Sequence, residues 1–228
     1  MTTVRAYHFV GRKLPGGRPV PKDGETLYFK GKPILFHRGL RAFLHPFDAM
    51  WAADGHVLCI VEIGGNVVQG GGEIAGTERT IVARLDATKL LMYFARMQAV
   101  SVLRNWLMDP RDELIDYLMT GRPSLIKAAH LCAKKAVTML RGLLSESTTG
   151  ANEVRAALDA ARSAAVATTH RRPEHSAAAA HAMAIFSVCE KEVFSGRAAV
   201  FAARKSLEAS ARNMFAELVD ESFVRLEG

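Results

Sequence analysis

Apolar and polar positions along the chain change their period near residue 86. Before that point, short runs rich in β-branched and aromatic residues are punctuated by Gly and Pro: VRAYHFVG (4–11), TLYFKG (26–31), PILFHRG (33–39), HVLCIVEIGG (56–65), NVVQ (66–69) and RTIVARLD (79–86). Runs of this length and composition, bounded by turn formers, predict strands. One segment departs from the pattern. HPFDAMWAA (45–53) places Pro46 at a first helical position and spaces Phe47, Met50 and Trp51 for one buried helical face.

After residue 86 every segment reads as helix. DATKLLMYFARMQAVSVLRNW (86–106) follows a cap at Asp86, and DPRDELIDYLMTG (109–121) carries Asp109 as cap, Pro110 in the first turn and Gly121 as terminator. PSLIKAAHLCAKKAVTMLRGLL (123–144) is a third helix. From residue 151 the composition shifts to alanine. Val154, Leu158, Ala161 and Ala165 form one stripe, and Leu207, Ala211, Met214 and Leu218 form another, with steps of three and four that suit close helix packing. HRRPEH (170–175) is a polar turn between them. The pattern predicts an α+β protein: a mostly antiparallel β-rich domain over 1–86, then an alanine-rich helical bundle over 87–228. The latter divides into connecting helices (87–145) and alanine-rich helices (151–226), the last offering a seam for a homo-oligomer.

Charge changes the picture once it is located. Residues 1–41 hold nine basic residues, Arg5, Arg12, Lys13, Arg18, Lys22, Lys30, Lys32, Arg38 and Arg41, against Asp23 and Glu25. That balance of +7 equals the formal charge of the whole chain. Such a segment attracts phosphate or an acidic surface, so Arg12, Lys13, Arg18, Lys22, Lys30, Lys32, Arg38 and Arg41 are the candidate anion- or partner-binding residues. No aromatic-rich RNA-binding motif is interleaved with them, and base recognition is not implied. In RGLRAFLHPFDAM (38–50) the helix start after His45 offers backbone N–H groups to an anion, while Leu40, Phe43, Phe47 and Met50 are available to a core.

Several chemistries are disfavoured. With 49% hydrophobic and 23% charged residues the chain can bury a sizeable core. The N-terminus lacks a signal-peptide layout, and SAAAAHAMAIFSVC is too short to span a bilayer, so the expectation is a cytoplasmic protein without a membrane partner. Cys59, Cys132 and Cys189 sit apart in apolar contexts and suit reduced core thiols. GGGEIA fits a loose dinucleotide pattern at Gly70, Gly72 and Ala75. A strand-like run follows it instead of a helix, so a glycine-rich hairpin is expected. Asp109, Asp112, Glu113 and Asp116 complement a helix dipole. His170, His175 and His181 straddle a turn without metal-ligand spacing, and no metal site is expected.

Taken in order, AYHFVG, GGRPVPKDGE, GLRAFLHPFDA, LCIVE, ERTIVARLDATKLLMYFARMQAVSV, DYLMTG, the alanine-rich helices and FAELVDESF resemble a family of proteins encoded by phages, prophages and some bacteria. The resemblance covers nearly the whole chain. It departs where the family has a histidine and a small residue after the Gly-Leu pair and this chain has Arg41 and Phe43. It implies a phage-type protein acting on host machinery in the host cytoplasm, including a counter-defence role of the anti-CRISPR kind. The expected function is non-catalytic: binding and inhibiting a host protein, a ribonucleoprotein complex or nucleic acid, without a cofactor. A looser resemblance joins His8, an aromatic at Tyr28 or Phe43, and Glu78 to the layout of ADP-ribosyltransferases. It implies the alternative of an NAD-dependent enzyme, in which His8 orients a ribose of NAD and Glu78 stabilises the developing oxocarbenium charge.

Overall fold

The computed structural model describes residues 3–14, 17–103, 113–143, 156, 172–192 and 195–227. It is an α+β protein, with an antiparallel five-stranded sheet in the N-terminal half and helices in the C-terminal half. The sheet is organised by one long hairpin. Strand β4 (Val57–Gly70) pairs with β5 (Glu73–Asp86) from Val57 opposite Asp86 to Gly70 opposite Glu73, leaving Gly71 and Gly72 as a two-residue turn. Their φ values of 59° and 81° are those a tight hairpin of this kind needs and side chains disfavour. GGGEIA is therefore the expected glycine-rich hairpin.

Strand β1 (Val4–Val10) runs antiparallel to β4, with His8 opposite Cys59. Strand β2 (Thr26–Tyr28) pairs with β5, and β3 (Leu40–Phe43) pairs with β5 near the hairpin tip and with β1 through Tyr7 and Phe43. Because β5 bonds both β3 and β4, the pairings β5–β3–β1–β4 close into a ring. Register shifts at Ile60/Val61 and Gly64/Val67 supply the bends that closure requires. One apolar cluster includes Ala6, Val10, Ala42, Cys59, Val61, Ile63, Ile74 and Ile81. Alternate positions of the same strands, Phe9, Leu58 and Ile60, are buried as well, so β1 and β4 are apolar on both faces.

PILFHRG, expected as a strand, is a turn. Ile34 and Arg38 exchange backbone hydrogen bonds of 2.8 and 3.0 Å, Phe36 has φ 59°, and the strand begins only after Gly39, at LRAF. The backbone groups of Ile34 and Arg38 are thereby satisfied inside the loop. Helix α1 (Pro46–Trp51) starts at Pro46 as expected and buries Phe47 and Met50, but Trp51 stays about half exposed at 49%. Leu40 and Phe43 are only partly buried, and Ala42 between them is the residue that enters the core.

Helix α2 (Thr88–Leu103) begins where Asp86 Oδ1 accepts the Thr88 N–H at 2.9 Å, the cap read from the sequence. Helix α3 (Glu113–Thr120) ends at Gly121, whose left-handed φ of 68° brings its N–H to Tyr117 O. A 3₁₀ turn (Pro123–Leu125) leads into α4 (Ile126–Leu143), and α5 (Pro173–Lys191) and α6 (Arg197–Glu227) complete the chain. On α5 the small residues Ala177, Ala180, Ala184 and Ser187 are buried at steps of three and four. The Asp109 cap, Pro110, Asp112, His170 and the stripe Val154, Leu158, Ala161 and Ala165 lie outside the described residues.

The chain divides into two compact units, Met1–Thr88 with Phe215–Gly228, and Lys89–Met214. The β-rich unit therefore includes the end of the last helix as well as the expected 1–86. There α6 buries Phe215, Val219 and Phe223 and leaves the expected stripe residue Leu218 partly covered, while within the other unit Ala211 is buried and Met214 partly covered. Phe215 meets the Phe47 ring edge-on at 6.1 Å. In the other unit, Gln98 Oε1 and His181 Nδ1 are 2.7 Å apart and both residues are buried. No described helix is long and apolar enough to cross a membrane.

Candidate anion-binding cleft

The β-rich unit carries a cleft of about 380 Å³ whose polar lining is dominated by cations. Strand β1 contributes His8, β3 contributes Arg41, β5 contributes Arg79, and the loop after β1 contributes Lys13 and Arg18. Asp54, exposed after α1, is the one carboxylate in the lining. Phe29, Leu40 and Phe43 supply apolar walls.

The cations differ in how they are held. Arg41 is committed: its Nε donates to Glu73 Oε1 at 2.6 Å and its Nη2 to Glu73 Oε2 at 3.0 Å. Glu73 is completely buried and also accepts the Phe36 N–H at 3.0 Å, so one carboxylate fixes both β3 and the preceding turn. That hydrogen bond raises the Arg41 pKa. Arg79 is different. It is 6% exposed, its Nη1 donates to the Arg41 carbonyl at 2.9 Å, and its buried Nε has no hydrogen-bond partner among the described residues. No carboxylate pairs with it among the described residues, and burial pushes its pKa down to about 10. Lys13 and Arg18 are exposed at the rim.

Neighbouring titratable groups leave this charge uncompensated. Burial pushes the Cys59 thiol up to about 11, so it is neutral at pH 7. His8 falls to about 3, first through burial and then through the Arg79 and Arg41 charges, so it too is neutral. The arrangement therefore presents a neutral imidazole beside a buried guanidinium, a combination that favours an incoming anion.

The sequence-predicted residues are only partly gathered. Lys13, Arg18 and Arg41 line the cleft, whereas Arg12, Lys22, Lys30, Lys32 and Arg38 are exposed elsewhere on the unit. At the start of α1, His45 Nδ1 already accepts the Phe47 N–H at 3.2 Å and Asp48 occupies the first turn, which disfavours an anion there. The cleft receives Ala52 and Asp54 from the opposite end of that helix.

His8 and Glu78 lie at different registers of the sheet. His8 and Phe43 line the cleft, but Glu78 pairs with Tyr28 and Gly64, and its side chain lies against Gly64 and Gly65. Gly64 is five residues from Cys59, the partner of His8, or roughly 16 Å along β4. The residue that β5 presents to the cleft is Arg79, one position on and therefore on the other side of the strand. Sequence reasoning missed Arg79, although its signal was present: in RTIVARLD it is in phase with the core residue Ile81. Among the described residues no group of His, Cys, Asp and Glu could hold a metal ion. His181 is instead buried on Gln98 and Phe94, Cys59 is buried, and Cys132 and Cys189 are partly buried.

Comparisons with protein-family models, with curated proteins and with solved structures find no match to this chain.

Proposed function

We propose that the protein is a non-catalytic binding protein whose partner is nucleic acid, bare or within a host ribonucleoprotein complex, and that binding blocks that partner. The observation that carries this reading is the cleft, where Lys13, Arg18 and Arg79 line the wall together with Arg41, itself paired with Glu73, and Asp54 is the carboxylate among the described lining residues. Arg12 and Lys22 extend the same basic segment beyond it. The phage-type setting, the host cytoplasm and a counter-defence role rest on the family resemblance, and they supply a reason for a protein to carry an anion-binding surface. The NAD-dependent alternative assigns to Glu78, beside His8, the stabilisation of an oxocarbenium ion. The position of Glu78 favours the binding reading over it.

The test is the salt dependence of binding to a short oligonucleotide. Replacing Arg12, Lys13, Arg18 and Lys22 together by Ser should weaken binding and reduce the slope of log K against log salt by about 0.7 for each single-strand phosphate no longer neutralised. Circular dichroism should be unchanged, since Lys13 and Arg18 are exposed. An unaltered slope removes this segment from the interface, and NAD consumption abolished by His8→Ala would replace the binding reading with the enzymatic one.

A further inference from the structure

A buried guanidinium without a counter-ion is an expensive feature to maintain. A buried charge is normally neutralised by an opposite one, as the Glu73 carboxylate is by the partly exposed Arg41. Arg79, two residues before the core residue Ile81, has no such partner among the described residues and leaves its buried Nε unbonded. It lines a concave site, so the missing partner has a place to enter. The cleft around it is not simply basic. Phe29 and Phe43 line it together with Leu27 and Leu40, and its size is at the small end of the range for sites that enclose an organic ligand. Inorganic phosphate would leave those apolar walls uncovered.

We infer that the cleft holds a nucleoside 5′-monophosphate group, its phosphate on the Arg79 guanidinium and its base against the Phe29 and Phe43 rings. A flat base is a natural occupant of aromatic walls, and stacking tolerates different bases. Lys13 and Arg18 at the rim attract the charge, and the neutral His8 ring lies beside the phosphate position without adding a competing carboxylate. The same chemistry is offered by a free nucleotide and by the phosphorylated 5′ end of a strand. The inference rests on the nucleic-acid reading of this cleft and narrows it from a track along a backbone to a pocket for one terminal unit.

Calorimetric titration with the four ribonucleoside 5′-monophosphates, the matching nucleosides and inorganic phosphate tests it. The expected result is binding of the monophosphates, with a loss of at least about tenfold for the nucleosides. Arg79→Met should abolish that binding while leaving the thermal midpoint no lower than wild type, because an apolar stem replaces an unpaired buried charge. A merely structural arginine would lower the midpoint instead. Should Arg79→Met fail to fold, Phe29→Ala decides: it should weaken the monophosphates about tenfold relative to inorganic phosphate. Equal affinity for nucleoside and monophosphate, or inorganic phosphate binding as tightly as a nucleotide, would overturn the inference. Ten-nucleotide strands with 5′-phosphate and with 5′-hydroxyl separate the sources: preference for the phosphorylated strand marks a strand-end site, and binding of free monophosphates alone marks a nucleotide site. If strands fail to bind while monophosphates succeed, the nucleic-acid function falls and the pocket stands. If both strands bind equally and monophosphates fail, the pocket falls and the function stands.

Discussion

The Arg41–Glu73 pair should respond asymmetrically to removal of its two members. Glu73 is fully buried, whereas 38% of the Arg41 side chain is exposed. Arg41→Met strips the carboxylate of both guanidinium bonds and leaves it buried with only the Phe36 N–H. Breaking a buried pair in this direction costs about 3–5 kcal/mol. Glu73→Gln is milder, because the amide oxygen still accepts the Phe36 N–H and the freed Arg41 can turn to water. Its cost should be about 1–2 kcal/mol, the range for loss of charge assistance in a hydrogen bond. Adding Glu73→Gln to Arg41→Met removes the stranded charge, so the double variant should be more stable than Arg41→Met alone. Urea unfolding followed by circular dichroism, with midpoints compared at constant m, measures all three. A Glu73→Gln cost equal to that of Arg41→Met, or strictly additive losses, would refute the argument that burial of the carboxylate dominates this pair.

Two further outcomes follow from buried groups. His8 and His181 are depressed to about 3 and about 4 by burial, below the unfolded value near 6.5, so the unfolded chain binds more protons between these limits. Stability should be fully present above pH 6.5 and fall as pH drops toward 4, by up to about 1.4 kcal/mol per unit for each histidine. His181→Gln, which keeps an amide against Gln98, should flatten this profile in unfolding measured at pH 7 and pH 5, and an unchanged profile would show that His181 does not contribute. On α6, Phe215→Ala should cost about 3–5 kcal/mol, since the ring is fully buried against Phe47. Leu218→Ala should cost clearly less, and thermal melting that ranks the two the other way would restore the stripe through Met214 and Leu218.

That last comparison shows where the sequence was ambiguous. Met214-Phe215 and Leu218-Val219 are adjacent apolar pairs, so a helix can present either member to a core with nearly the same periodicity. The partner element decides, and here the Phe47 ring takes Phe215. In the sheet, β1, β2 and the Gly71-Gly72 turn were legible because alternation and glycine act locally, whereas HVLCIVEIGG and NVVQ, read as separate runs, are one strand and β5 begins at Glu73, before RTIVARLD. PILFHRG and LRAF were exchanged for a reason of longer range. The Glu73 carboxylate holds the Phe36 N–H and the Arg41 side chain at once, and position 73 is more than thirty residues away from both.

The candidate site was legible in the same partial way. A charge count over residues 1–41 found Lys13, Arg18 and Arg41, the three of its nine basic residues that line the cleft. It could not find Arg79, which sits among a strand's core positions and contributes nothing to a local excess of charge. The ring closure gives that residue its meaning. β5 bonds β3 at the hairpin tip and β2 further on, and Arg79 follows the stretch where β5 changes partners. An arginine there can brace the Arg41 carbonyl with one nitrogen while the residue also lines the cleft. An aliphatic residue at position 79 would remove a buried charge but also the donor to the Arg41 carbonyl, and the proposed anionic partner is the term that would offset keeping a cation there.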